Sequence, residues 1–126
     1  MIQKIETEQA PKAIGPYSQA IRAQNFLFVS GQVAMNPKNG KIEQTSIKGQ
    51  TIQVLDNIEA ILKEAGLGFE HVVKVEIYVK DIADFQIINK LYGERFTHPI
   101  KPARQLMQVT ALPLNALIEI SCIAAM

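Results

Sequence analysis

The feature that most constrains this chain is a change of hydrophobic period across Gly66. Before it, Ile52, Val54, Leu55, Ile58, Ile61, Leu62 and Ala65 recur at three- and four-residue spacing, while Asp56, Asn57, Lys63 and Glu64 fall elsewhere. That pattern predicts an amphipathic helix starting near Ile47. Thr45 or Ser46 can cap its start, and Gly66 suits the left-handed residue that ends it. After Gly66, Val73, Val75, Ile77 and Val79 alternate with Lys74, Glu76, Tyr78 and Lys80, the two-residue period of a strand with one face in a core. Helix followed at once by half-buried strand requires a sheet with a helical layer on it.

The remaining elements follow from the same rules. Ser18 to Val33 reads as two strands joined at Ala23-Gln24-Asn25, and Asn36-Pro37-Lys38-Asn39-Gly40 is dense turn chemistry. After Asp81 or Asp84 as N-cap, Phe85, Ile88, Leu91, Tyr92 and Phe96 form a second helical stripe that Pro99 and Pro102 end. Two further strands, about Arg104 to Thr110 and Leu117 to Ala124, are separated by Leu112-Pro113-Leu114-Asn115. The predicted order is ββαβαββ, an α+β domain with a mixed sheet. Two helices cover one face of such a sheet, so the other face must meet something, and self-association is the expected answer.

Length and charge narrow the function classes. A chain of 126 residues fits one domain, 1–126, with a sizeable core. Its 13 Lys and Arg balance 12 Asp and Glu, and the lysines are scattered, which disfavours nucleic acid as a partner because phosphate neutralisation needs a basic stripe. No apolar run approaches the roughly 20 residues of a membrane span. The opening Met1–Glu6 lacks the apolar core of a signal peptide, so a cytoplasmic protein is expected. The single Cys122 reads as a small buried hydrophobe. His71 and His98 have no Cys or Asp at ligand spacing, so no metal site is expected.

Two charges stand out. Arg104 opens one apolar strand and Glu119 lies between Ile118 and Ile120 in another. An isolated ion in a half-buried strand is costly unless paired. In adjacent strands, the two suggest a site for an anion and a polarised water. A guanidinium matches a carboxylate bidentately, and Leu106 falls on the Arg104 side as an apolar wall. The structural alternatives are a salt bridge from Arg104 to Glu94 or another acid, and a solvated Glu119. Gly15-Pro16-Tyr17-Ser18 and Ser30-Gly31-Gln32 read either as a turn with a bulge or as close backbone approach to a ligand. Asn89 alone would be read as exposed.

Taken together, Gly15-Pro16-Tyr17-Ser18-Gln19-Ala20, Ser30-Gly31-Gln32, Leu55-x-Asn57-Ile58-x-Ala60-Ile61-Leu62, Val72-Val73-Lys74-Val75, Asp84-Phe85 with Asn89 and Tyr92, Pro102-Ala103-Arg104, Leu112-Pro113 and Ile118-Glu119-Ile120 resemble the RidA (YjgF-like) family of reactive-intermediate deaminases. The resemblance runs nearly the whole length. It implies a chorismate-mutase-like ββαβαββ fold, assembled as a homotrimer with clefts between subunits. It also implies cofactor-free hydrolysis of 2-imino or enamine acids, such as 2-iminobutanoate and 2-iminopropanoate released by pyridoxal-phosphate enzymes, to 2-oxo acids and ammonia. Carried over, Arg104 would clamp the substrate carboxylate and Glu119 with Ser30 would position water. Tyr17, Gly31 and Asn89 would shape the pocket. Gln105 and Leu106 stand where the family has small residues. The alternatives are a non-catalytic binder of 2-oxo or amino acids and an RNA-cleaving translation inhibitor.

Overall fold

The computed structural model describes all residues, Met1–Met126. Helix and strand form on either side of Gly66 as their periods require, α1 over Ile47–Glu64 and β4 over Val72–Val79. Ser46 caps α1, its hydroxyl accepting from the Gly49 N–H at 3.0 Å. Gly66 takes φ +77°, and the Leu67 and Gly66 N–H groups close back onto the Leu62 and Lys63 carbonyls at 2.8 and 2.9 Å. That pair of bonds is the Schellman ending, which satisfies carbonyls the helix would otherwise leave orphaned.

The other elements are β1 (Ile2–Ile5), β2 (Ala20–Ala23), β3 (Phe26–Gln32), α2 (Phe85–Arg95), β5 (Ala103–Gln108) and β6 (Ile118–Ala125). They form one mixed sheet in the order β1-β2-β3-β6-β4-β5, antiparallel except for the β4–β5 pair. The parallel pair needs a crossover, which α2 supplies. The sheet therefore carries one strand more than ββαβαββ: β1 pairs with β2 at the far edge. A four-residue segment with three exposed positions has too little alternation to be read from sequence. Asp81, not Asp84, makes the capping bond before α2, to the Ala83 N–H at 2.9 Å. Phe85 and Ile52, expected on the buried helical stripes, are exposed, and so is Val73, expected on the core face of β4: the β4–β6 register slips between Val72 and Lys74, and Val72 is buried instead.

The core lies between the sheet and the two helices. Leu55, Ile58, Ile61 and Leu62 from α1 meet Val75, Ile77 and Val79 of β4 and Ile118 and Ile120 of β6, all essentially buried. Each such side chain contributes about 1.5–3 kcal/mol on burial. Cys122 belongs to this core, and burial pushes its thiol up to about 12, which fits the inert hydrophobe read from sequence. The opposite sheet face has no helices. It presents Phe26, Phe28 and Met107, each at least 43% exposed, with half-buried Ile21 and Ile123 beside them. The total accessible surface is 7330 Å², against roughly 6,700 Å² for a compact monomer of this mass. No helix is long and apolar enough to cross a membrane.

Candidate active site

The site is built around a break in the β3–β6 ladder. Val29 pairs with Cys122 and Gln32 with Ile120, so Ser30 and Gly31 together oppose Ser121 alone. This bulge bends β3 and frees its backbone to approach a neighbour closely. The neighbour is Glu119. A Cβ on residue 31 would lie 2.9 Å from the Glu119 Cδ, with the carboxylate oxygen closer still. Only glycine leaves the carboxyl group room in its present position.

Glu119 and Gly31 line a cleft of about 300 Å³ whose wall includes Tyr17, Ile14, Pro113 and Leu114. Glu119 is half-buried, and desolvation lifts its carboxyl above the ordinary glutamate value. It makes no salt bridge within the chain. Directly opposite it on β4 stands Tyr78, whose hydroxyl donates to Glu76 at 2.6 Å. Gln105 donates to the same Glu76 oxygen at 3.3 Å, so the residue beside Arg104 serves the open face of the sheet.

The loop before β2 forms the cleft's outer wall, and one buried amide holds it. Gln19 donates to the carbonyls of Thr7 at 3.0 Å, Ala10 at 3.3 Å and Pro11 at 2.8 Å, and accepts from the Thr7 N–H at 2.7 Å. Every hydrogen-bonding valence of the amide nitrogen is used, so the loop cannot drift without unpairing a buried group. Tyr17 projects from this loop, 54% exposed, its hydroxyl accepting weakly from the Ile14 N–H at 3.3 Å. Ser30 is half-buried and lies off the cleft wall. Its hydroxyl donates to the Ser18 carbonyl at 2.6 Å, which ties the Tyr17 loop to the bulge and leaves the oxygen able to accept from water.

Arg104 is elsewhere. It pairs across β5–β4 with buried Val75, which turns its side chain to the helix-covered face. There its guanidinium carbon lies 4.8 Å from the centroid of the Tyr92 ring, a cation–π contact. Burial pushes the Tyr92 hydroxyl up to about 12, and that hydroxyl has no partner. Arg104 makes no ion pair with Glu94 or any other acid, so its hydrogen-bond fork is free. It is exposed on an edge strand and not enclosed in apolar surroundings. Leu106 packs half-buried against the core on the same side. Asn89 is exposed on α2, three residues before Tyr92.

One sequence expectation is thereby corrected. Arg104 and Glu119 do not stand on adjacent strands, because β4 runs between β5 and β6. Nor do they share a face: alternate residues of a strand point to opposite sides, and Val75 and Tyr78, their partners on β4, lie on opposite sides of it. Three residues along a strand and two strand spacings across put their backbones about 14 Å apart. Tyr17, Gly31 and Glu119 are thus brought together, with Ser30 behind them, while Arg104, Leu106 and Asn89 form a separate group. Sequence reasoning missed the cleft residues Lys12 and Ile14, read Leu114 only as part of a turn, and gave no role to Gln19, which it met only inside a motif. A buried glutamine two residues after an exposed tyrosine carries no periodic signal.

Known proteins resemble this chain over nearly its whole length. The family model described as endoribonuclease L-PSP matches residues 7–126. A RutC family protein of Pyrococcus horikoshii is 52% identical over 124 residues, covering 98% of each chain. The chloroplastic Reactive Intermediate Deaminase A of Arabidopsis thaliana is 49% identical over 122 residues, 97% of this chain and 65% of that one. Among solved structures, YyfA of Yersinia pestis, a protein of the conserved Rid family, matches with a TM-score of 0.97 and 43% identity over 100% of both chains. Matched over nearly its whole length in both sequence and fold, this chain belongs to the RidA (YjgF-like) family of reactive-intermediate deaminases.

Proposed function

We propose that the protein is a hydrolytic deaminase of reactive 2-imino and enamine acids, 2-iminobutanoate and 2-iminopropanoate among them. The observation that carries this reading is Glu119, a half-buried carboxylate on the wall of a cleft, without a salt-bridge partner and with its proton affinity raised. A carboxyl with its proton affinity raised in this way is suited to taking up and returning a proton. Kinship with a protein named Reactive Intermediate Deaminase A supports the same chemistry.

An iminium carbon is already electrophilic, so little apparatus is needed. Glu119 takes a proton from one water as the oxygen attacks that carbon, giving a tetrahedral carbinolamine. Returned to the nitrogen, that proton makes ammonia the leaving group. As the C–N bond breaks, Glu119 takes the hydroxyl proton so that the 2-oxo acid forms, and then passes it to the departing ammonia, which leaves as ammonium. Holding water and substrate together supplies most of the acceleration. Substrates of this class are short-lived products of pyridoxal-phosphate enzymes. On this reading the protein works in the cytoplasm, downstream of such enzymes, and itself needs no cofactor.

The substrate carboxylate needs a cation, and the free fork of Arg104 fits it. One chain does not bring Arg104 to a ligand on Glu119, because the two residues face opposite sides of the sheet. The site is therefore shared: Arg104 with Asn89 and Leu106 from one copy, Glu119 with Tyr17, Gly31 and Ser30 from the next. A head-to-tail contact of this kind closes into a ring, and the family resemblance implies three members. The open sheet face supplies apolar surface for the contact.

Imine decay, followed against semicarbazide trapping in the presence of a dehydratase and its serine or threonine substrate, tests the reading. Wild type is expected to accelerate decay, and Arg104→Ala and Glu119→Gln each to lose most of that acceleration. In a ring, a random equal mixture of the two variants regains about a quarter of wild-type activity, because one site in four draws both intact groups. Absence of acceleration by wild type overturns the deaminase reading. Binding of a 2-oxo acid without acceleration would leave a ligand-binding regulator. No recovery on mixing overturns the shared site.

A further inference from the structure

The turn between β5 and β6 is strained where it meets the cleft. Leu114 has φ +58° and Asn115 φ +55°. Asparagine tolerates the left-handed region, whereas a leucine there crowds its Cβ against the carbonyl. The conformation is held from both sides. Pro113 precedes it, the Ala116 N–H donates to the Pro113 carbonyl at 3.1 Å, and the Leu117 N–H donates to buried Gln50 at 2.9 Å. Strain fixed this firmly brings the fold no packing, because the Leu114 side chain is 63% exposed. It does bring an aliphatic side chain to the wall of the Glu119 cleft, which also includes Ile14, 73% exposed. Two large aliphatic groups left in water beside a reactive carboxylate are surface that a ligand can cover.

We propose that Leu114, with Ile14, is the specificity-determining element of the cleft, taking the substrate's side chain and selecting aliphatic 2-imino acids over those with a second carboxylate. The inference rests on the deaminase reading for the reaction and on the cleft alone for the binding. Lys12 lines the same cleft and would favour the opposite choice, an acidic side chain. The two influences are separable. Each methylene buried against Leu114 raises kcat/KM about fourfold, while a dominant ammonium would favour glutamate-derived imine.

An amino-acid oxidase supplied with alanine, 2-aminobutyrate, norvaline or glutamate generates the imine series. For wild type, kcat/KM is expected to climb along the first three and to be lowest for glutamate. Leu114→Gly, which also accepts positive φ, should bring the norvaline-to-alanine ratio close to one. Leu114→Asn serves the same purpose if the glycine variant folds poorly. The second readout needs no turnover: calorimetric affinities for pyruvate, 2-oxobutanoate, 2-oxopentanoate and 2-oxoglutarate should show the same order and the same collapse. If turnover is absent but the affinity order and its collapse persist, the deaminase reading fails and the subsite stands. An unchanged ratio in both Leu114 variants, a preference for the glutamate-derived imine, or no affinity for any 2-oxo acid overturns the subsite.

Discussion

The two faces of the sheet come from the same strands and differ in what covers them. On β4, Val75, Ile77 and Val79 are fully buried under the helices. Lys74, Glu76 and Tyr78, alternating with them, lie half-buried on the other face. There Phe26, Phe28 and Met107 remain exposed on strands long enough to have buried them. The covered face is closed by the chain itself and sets its stability. The open face is apolar without intramolecular cover, and it carries Glu119. Arg104 lies on one face and Glu119 on the other, so on the proposed reading the chain's own sheet keeps the two groups apart and assembly completes the site.

The sharpest test of the contrast substitutes one residue from each face. Ile77→Ala opens a cavity in the helix-covered core and should lower unfolding free energy by about 2–5 kcal/mol, read from denaturant midpoints at unchanged slope. Phe28→Asp, on the open face, should leave the fold of a single chain intact while abolishing association, read by sedimentation as a fall to one chain of 14.0 kDa. Activity should be lost with the assembly. An associated Phe28→Asp, or one that unfolds as readily as Ile77→Ala, would mean that the two faces do not divide the labour in this way.

How much of this was legible in the sequence follows the same division. The covered face and its helices were readable because burial by one's own chain imposes a period, Val75 to Val79 for β4 and Val54 to Leu62 for α1; the period misplaced only the ends, Val73 and Ile52. Ser46 and Gly66 were readable because caps have local chemistry. Pairing order was not, since strand neighbours are set by tertiary packing, and the belief that Arg104 and Glu119 stand side by side failed there. The edge strand β1 was missed because four residues against a single neighbour leave no pattern. Among the site residues, Glu119 stood out as a charge between two isoleucines, Tyr17 and Gly31 as parts of a turn and a bulge, and the family motifs supplied their roles; the cleft that unites them follows from the bulge at Ser30-Gly31. Gln19 stood inside a family motif and Leu114 inside a turn, but the anchoring role of one and the strain of the other were not legible, because an amide's partners and a backbone's φ are settled only in three dimensions.

A smaller effect is expected at the bulge. In Gly31→Ala the new methyl collides with the Glu119 carboxyl, the mobile end of a side chain, so the carboxylate moves and the backbone does not. Stability should change by less than about 1 kcal/mol. Displacement by an ångström at the reacting group is costly for catalysis, and kcat should fall on the order of 100-fold with association unchanged. A variant that retains full kcat would show that the position of Glu119 is not what the glycine protects.

The smallest effect concerns the proton on Glu119, where stability and activity should move in opposite directions. Desolvation raises the folded-state pKa above its ordinary value of 4.5, so in the interval above 4.5 the native state holds a proton that the unfolded chain has released. Stability then falls as pH rises through that interval. Above the folded pKa the native state bears the full cost of a half-buried carboxylate, below about 1 kcal/mol for a group so open to solvent. Glu119→Gln should therefore be slightly more stable than wild type at neutral pH, with the difference vanishing as the medium is acidified toward the ordinary glutamate value. Wild-type kcat should decline over the same interval, at a higher pH than an ordinary glutamate would give, because the attacking water needs the ionised form. Paired melting curves of wild type and Glu119→Gln across that range check the sign. A difference that stays constant with pH would mean that burial of Glu119 is relieved in the assembled protein by a cation from the neighbouring copy, and Arg104→Ala would then restore the pH dependence.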